Sequence, residues 1–254
     1  MVDRPYYLTV RQFADGGYTE GGRSRYILHP KYSHAPSRFV RGFELLQKDL
    51  LTLFEYIEPS RLSRSAYSFR TYELLLRTCT EIEANFKSIL KANTFTKNER
   101  DWNITDYFYV NHSHFLSAYK VSMPFWDGAE SIRQPFKEWR NGEYQQLGWY
   151  AAYNKAKHDR ANNLREASFH NLVNAFCGLV VLLTAQFLDN DFMLRANSLT
   201  DEGPNDGFED ALGGYFRVQL PSNIPADERY NFDWSELMND DSPMQKFDYD
   251  ALRS

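Results

Sequence analysis

Residues 149–160 read WYAAYNKAKHDR, and the reading of this stretch decides the fold. Gly142 breaks the chain ahead of it. Leu147, Tyr150, Asn154 and His158 then recur at steps of three and four, the spacing that brings side chains onto one face of a helix. That face mixes apolar and polar groups and ends at the HDR stop. The stretch is therefore expected to be a helix C-terminus with Asn154 and His158 turned toward neighbouring helices.

Downstream, Asn163 with Glu166 three positions later has the form of a capping box. It predicts a helix from about Leu164 to Leu188, strongly apolar through Leu172, Phe176, Leu179, Val180, Leu183 and Phe187. Its most apolar part, Asn174 to Phe187, is shorter than the roughly 20 residues needed to span a bilayer, so it reads as a buried core helix and no membrane association is expected. Upstream, Ser37 is placed to cap a helix that carries Phe39, Phe43, Leu46, Leu50 and Leu53 and ends before Pro59. A second helix, from about Ser68 to Asn93, follows Tyr72, Leu76, Cys79, Phe86 and Leu90, with Glu83 filling the one gap in its stripe and Glu81 pointing elsewhere. A carboxylate at a core position needs a hydrogen-bonding or charged partner, and His158 on its own inward face is the expected one.

The ends and the middle are less regular. Residues 1–36 hold Tyr and Gly pairs and two prolines and read as an irregular arm with a short strand pair; residues 94–144, rich in Trp, Tyr and Pro, read as a partly helical insertion. Beyond Asp189 the chain turns polar, offers a strand at YFRVQL and ends in an acidic, aromatic extension containing YNFDW, with acids accumulating after Asp201. The expected organisation is an arm over 1–36, a helical domain over 37–189 and an extension over 190–254.

With 43% hydrophobic, 25% charged and 16% aromatic residues in 254, the chain has the material for a sizeable core. The N-terminus shows no secretory leader, and Cys79 and Cys177 lie in apolar helical patterns without metal-type spacing, so two reduced thiols and a cytoplasmic setting are expected. A net charge of -5 gives no global reason to bind nucleic acid, so any such binding must be local, where Lys155, Lys157, Arg160 and Arg165 gather.

The segment YNKAKHDR, followed by an apolar helix and preceded by a long helix with LLLRTCTEIE, resembles the HEPN superfamily over about half the chain. The resemblance implies an all-α helical bundle, often dimeric, and RNA as the ligand; many such proteins are metal-independent RNases of defence or toxin systems, and others are non-catalytic binding modules. Catalytic members carry an Arg four to six residues before the His. Here positions 151 to 153 are Ala151, Ala152 and Tyr153, so Lys155, Lys157 or Arg160 has to substitute in space. The catalytic candidates implied are His158 as general acid or base, with Asn154, Lys157 and Arg160 steadying a phosphate and Glu83 orienting the imidazole. The competing reading has Asn154 and His158 making interhelical hydrogen bonds with Glu83 while the cations serve the helix terminus.

The Arg-to-His spacing itself occurs at Arg165 with His170 and at Arg23 with His29, close to the chance frequency for this composition. His112 and His114 in NHSHF would point to one side of a strand and, with Asp106, offer part of a metal site, but no third strong ligand accompanies them. Nucleophile elbows, phosphate loops and dinucleotide fingerprints are absent. The sequence thus predicts an all-α, HEPN-like bundle with a central insertion, without cofactor or metal, that binds or cleaves RNA; the rival is a non-enzymatic module that forms a homodimer or docks a protein partner.

Overall fold

Pro36 opens the first helix, because its fixed φ suits a first turn and its missing N–H would have had no partner there. In the computed structural model, which describes residues 1–128, 130–192 and 207–253, helix α1 spans Pro36–Phe54 and its N-cap is Ala35 in a left-handed conformation, not Ser37. Ser68 caps α2 (Phe69–Ala92) in a closed capping box with Thr71, each side chain accepting from the other's backbone N–H. Two short helices follow, α3 (Ile104–Tyr107) and α4 (Val110–His114). Then come β1 (Lys120–Ser122), β2 (Ile132–Arg133), α5 (Gly148–His158), α6 (Arg160–Asn163) and α7 (Phe169–Phe187). After the undescribed stretch, β3 (Glu209–Asp210), β4 (Arg217–Gln219) and α8 (Trp234–Leu237) complete the order; Asp201, where the acidic run begins, lies outside the described residues.

α7 is the axis of the core. It packs on α1, α2 and α5, and by length and composition it passes for a membrane span, yet 83% of its apolar window is buried inside the protein. Gly178 at its midpoint lets Trp149 come close: a Cβ there would stand 3.3 Å from the indole and 3.6 Å from Phe136. Both cysteines are buried and free, and burial pushes the Cys177 thiol up to about 12. The helix begins at Ser168, which accepts from the Asn171 N–H, and not at Asn163, which sits in α6. The start is fixed from a distance, since the backbone N–H groups of Phe169 and His170 donate to the carbonyls of Ala66 and Arg64.

Four antiparallel strands in the order β2-β1-β4-β3 form a sheet beside this bundle. The protein is therefore mixed α/β, and the all-α expectation is overturned. The expected strand at 215–220 is present as β4 between β1 and β3, and β1, with its other neighbour β2, comes from the segment read as a partly helical insertion. Strands of two or three residues carry too few alternations to stand out as a period of two. The NHSHF stretch errs in the other direction, because His112 and His114 lie in helix α4.

The N-terminal segment is woven into the C-terminal one. Parallel bridges join Val2 and Phe13 to Tyr230 and Tyr6 to Gln245, and Leu8, Val10, Phe13, Tyr26 and Tyr32 enter the same core as the helices. At the centre of this seam Arg11 is 1% exposed: its Nε donates to the Ser113 carbonyl, its Nη1 to the Glu228 carbonyl, and its guanidinium faces the rings of Tyr6, Phe115 and Phe247. Beside it His114 Nε2 lies 2.8 Å from the Leu8 carbonyl, which can only accept, so Nε2 carries the proton and Nδ1 accepts from the Ser113 hydroxyl at 2.6 Å. The Tyr249 hydroxyl closes the chain on Ser113 Oγ at 2.6 Å. Asp106 is held by Lys97 at 2.7 Å and caps α3, and among the described residues no group of three His, Cys, Asp or Glu side chains is placed to hold a metal ion.

Candidate functional site

The antiparallel run of the four long helices brings the C-termini of α1 and α5 and the N-termini of α2 and α7 to one end of the bundle. The residues singled out in WYAAYNKAKHDR lie here or one to two turns below. Glu83 is satisfied within the bundle: it accepts a hydrogen bond from the Tyr150 hydroxyl at 2.9 Å. Burial, reinforced by the Glu83 charge, holds the phenols of Tyr150 and Tyr153 well above their usual range, so both remain neutral donors. The expected pairing of Glu83 with His158 or Asn154 does not form. Tyr150, two turns before His158 on the same helix face, reaches the carboxylate first, which leaves His158 exposed at the last residue of α5.

Among the described residues nothing hydrogen-bonds to the side chains of His158 or Asn154. Lys157 is anchored by its Nζ, which donates to the Tyr153 hydroxyl at 3.0 Å and lies 5.0 Å from that ring's centroid. The chain then turns sharply, because Asp159 caps α6 by accepting from the Asn162 N–H and from its side-chain amide. This turn carries Arg160 across to α2. Its guanidinium stands 5.5 Å from the Phe69 ring and 5.8 Å from the Tyr72 ring.

Phe69 is 61% exposed although it is the first residue of a helix whose other large apolar side chains turn inward. Tyr67, Leu62 and Tyr56 are also exposed. A groove of about 590 Å³ between the end of α1 and the start of α2, lined by Thr52, Leu53, Tyr56, Arg70 and Arg77, runs beneath them. Of the cations, Lys155 is 3.9 Å from Glu166, Arg70 pairs with Glu73 at 3.3 Å, and Arg165 is exposed. The surface therefore combines ring faces with solvent-exposed positive charge.

His158, Lys157 and Arg160 are thus brought to one surface, Asn154 stands one turn below, and Glu83 is withdrawn to the bundle side. Phe69, at the centre of the surface, escaped the reading of the sequence. The SFRTY start of α2 places it three positions before Tyr72, in step with the apolar spacing, so the sequence carries no signal that its ring faces water. Arg165 and His170 do not act as a pair. Arg165 sits on the exposed turn before Ser168, while His170 lies in the first turn of α7 with its ring against Asn174.

The fold and this surface define a mixed helical protein with an open aromatic and cationic bundle end. Comparison with known protein families, with curated proteins and with solved structures finds no match for the chain.

Proposed function

We propose that the bundle end is a docking face for single-stranded RNA, acting by binding. The observation that carries this reading is Arg160 held over Phe69 and Tyr72 with Phe69 open to solvent. A ring face presented to water beside a guanidinium is what base stacking and phosphate contact require, and each stacked base is worth about 1–3 kcal/mol. Lys157 and Arg165 extend the positive rim, while the net charge of -5 confines attraction to this patch. The HEPN-like resemblance of YNKAKHDR favours RNA over other polyanions. A catalytic role for His158 has less support, because an acid–base imidazole works when a partner fixes its tautomer, and neither Glu83 nor any other described side chain does so.

Fluorescence anisotropy with a labelled single-stranded RNA tests the reading. The wild type is expected to bind, Phe69→Ala and Arg160→Ala each to weaken binding by about tenfold, in line with the loss of one stacked base, and His158→Ala to bind nearly as the wild type does. Equal affinities in all four proteins would refute the site. Incubation with mixed RNA in EDTA separates binding from cleavage: intact RNA is expected, and cleavage that disappears in His158→Ala would convert the binder into an RNase.

A further inference from the structure

A second concentration of positive charge lies on the other side of the α7 N-terminus. Arg133 on β2 points inward and is 6% exposed, its guanidinium 4.4 Å from the Trp126 ring. Among the described residues the one polar contact of its tip is Nη1 to Glu130 at 3.4 Å, while Arg64 takes the other oxygen of the same carboxylate at 2.9 Å. One carboxylate therefore serves two guanidiniums. Among the described residues Nε and Nη2 of Arg133 are buried without a hydrogen-bond partner, and these two nitrogens form one edge of the guanidinium, the pair of parallel donors that grips an oxyanion from the side. Buried charges are ordinarily paired in full, so this edge is an unsatisfied demand for negative charge.

His170 points to the same chemistry. Its Nε2 faces the Asn174 amide nitrogen at 3.0 Å and so accepts, which places the proton on Nδ1. Nδ1 is also buried and unpartnered. Burial first, then the charges of Arg64, Arg133 and Lys137, depress this imidazole against an opposing pull from Glu130, so it stands as a neutral donor. Three buried donor atoms thus have no acceptor among the described residues, and the His170 ring feels the charges of both guanidiniums and of the carboxylate they share. Glu130 holds its place at a φ of 78°, in the left-handed region that a non-glycine residue occupies at a cost.

We propose that Arg133, Arg64 and His170 form a phosphate-class anion site in which Glu130 is a built-in counter-ion that the ligand displaces. A phosphoryl group suits these donors better than a second carboxylate, because it offers three terminal oxygens to two Arg133 nitrogens and the His170 Nδ1–H. Arg64 and Glu130, both partly exposed, stand at the rim, and the relaxation of Glu130 accompanies entry.

Thermal unfolding in increasing inorganic phosphate, against potassium chloride of equal ionic strength, is the test. The wild-type Tm is expected to rise saturably in phosphate alone. Glu130→Gln, which removes the internal competitor, is expected to tighten the apparent phosphate affinity by about tenfold or more, since ligand no longer has to open a closed state. Arg133→Gln is expected to lose the response, and Arg64→Gln, at the rim, provides a milder variant that weakens it should the buried change unfold the protein. A parallel arm with phenyl phosphate reads whether a phosphomonoester binds more tightly than the free anion. Identical Tm values in phosphate and chloride for both wild type and Glu130→Gln would overturn the site, as would a response retained in Arg133→Gln. A Glu130→Gln protein destabilised equally in both salts would show Glu130 to be a structural ion partner only, which also overturns it. RNA affinity measured on Arg133→Gln keeps this site separate from the bundle end, because it is expected to stay at the wild-type value.

Discussion

Two regions of this protein use the same residue types to opposite ends. In the seam between the chain's first and last segments, Arg11, His114 and Tyr249 are buried, the rings of Tyr6 and Phe115 are half-buried, and the guanidinium, the imidazole and the Tyr249 hydroxyl each have a polar partner. At the bundle end, Arg160, His158 and the ring of Phe69 stand in water, Tyr72 is half-buried, and the cation is held by ring faces. A serine 2.6 Å from a histidine and 2.6 Å from a tyrosine looks like catalytic machinery in the seam, yet it lies where no substrate arrives. The lesson is that chemistry-bearing residues declare a site through unsatisfied valence and access, and their identities alone do not distinguish an interface from a structural knot.

The largest effect is expected in the seam. Arg11→Met removes the donor to two buried carbonyls and the cation between three rings, and it should cost about 3–5 kcal/mol of unfolding free energy in urea titration. A change below 1 kcal/mol would mean that the seam contributes little to global stability.

Next comes pH. Burial lowers His114 from 6.5 to about 3, so between those values the unfolded chain binds a proton that the folded one refuses. Stability contributed by this group is complete above 6.5 and is lost as pH falls toward 3, by on the order of 4 kcal/mol over the whole window. His170 and His112, also lowered chiefly by burial, act in the same direction. His114→Gln should flatten the fall in Tm between pH 6.5 and pH 4 relative to the wild type; parallel curves would show that the slope arises elsewhere.

The smallest effect is expected at the bundle end. Phe69→Ala and Arg160→Ala touch an exposed pair and should move stability by no more than about 0.5 kcal/mol, even as they weaken RNA binding. A loss above 2 kcal/mol in either would place that pair in the structural class of the seam and erase the contrast.

The long helices were legible because burial repeats along them. Phe43, Leu46 and Leu50, or Leu75, Cys79, Ile82 and Phe86, are apolar for a reason that each turn restates. The expected start of the second helix near Ser68 matches the observed cap, because the apolar repeat begins just after it. The start of α7 was not, since Asp159, Asn163 and Ser168 each resemble a cap, and the choice is made by the carbonyls of Arg64 and Ala66 about a hundred residues away. Likewise β1 exists because β4 lies beside it, and three residues cannot announce a partner on their own. At the site, the sequence brought Lys157, His158 and Arg160 forward but paired Glu83 with the wrong side chain. Helical spacing places Tyr150 and His158 on one face and is silent on which of them arrives at a given height. Arg11 and Arg133 were invisible because a buried arginine is recognisable only from what surrounds it.

The interlacing of the two ends also governs the tempo of folding. Hydrogen bonds such as Gln245 to the Arg4 carbonyl join residues 241 positions apart, so they demand the largest loop closure among the described residues. Helices α1 and α2 can meet across a short connection, whereas the seam has to wait for both of its strands. Contacts that form so late are broken early when the chain opens, and in that position they set the lifetime of the native state more than the speed with which it is reached.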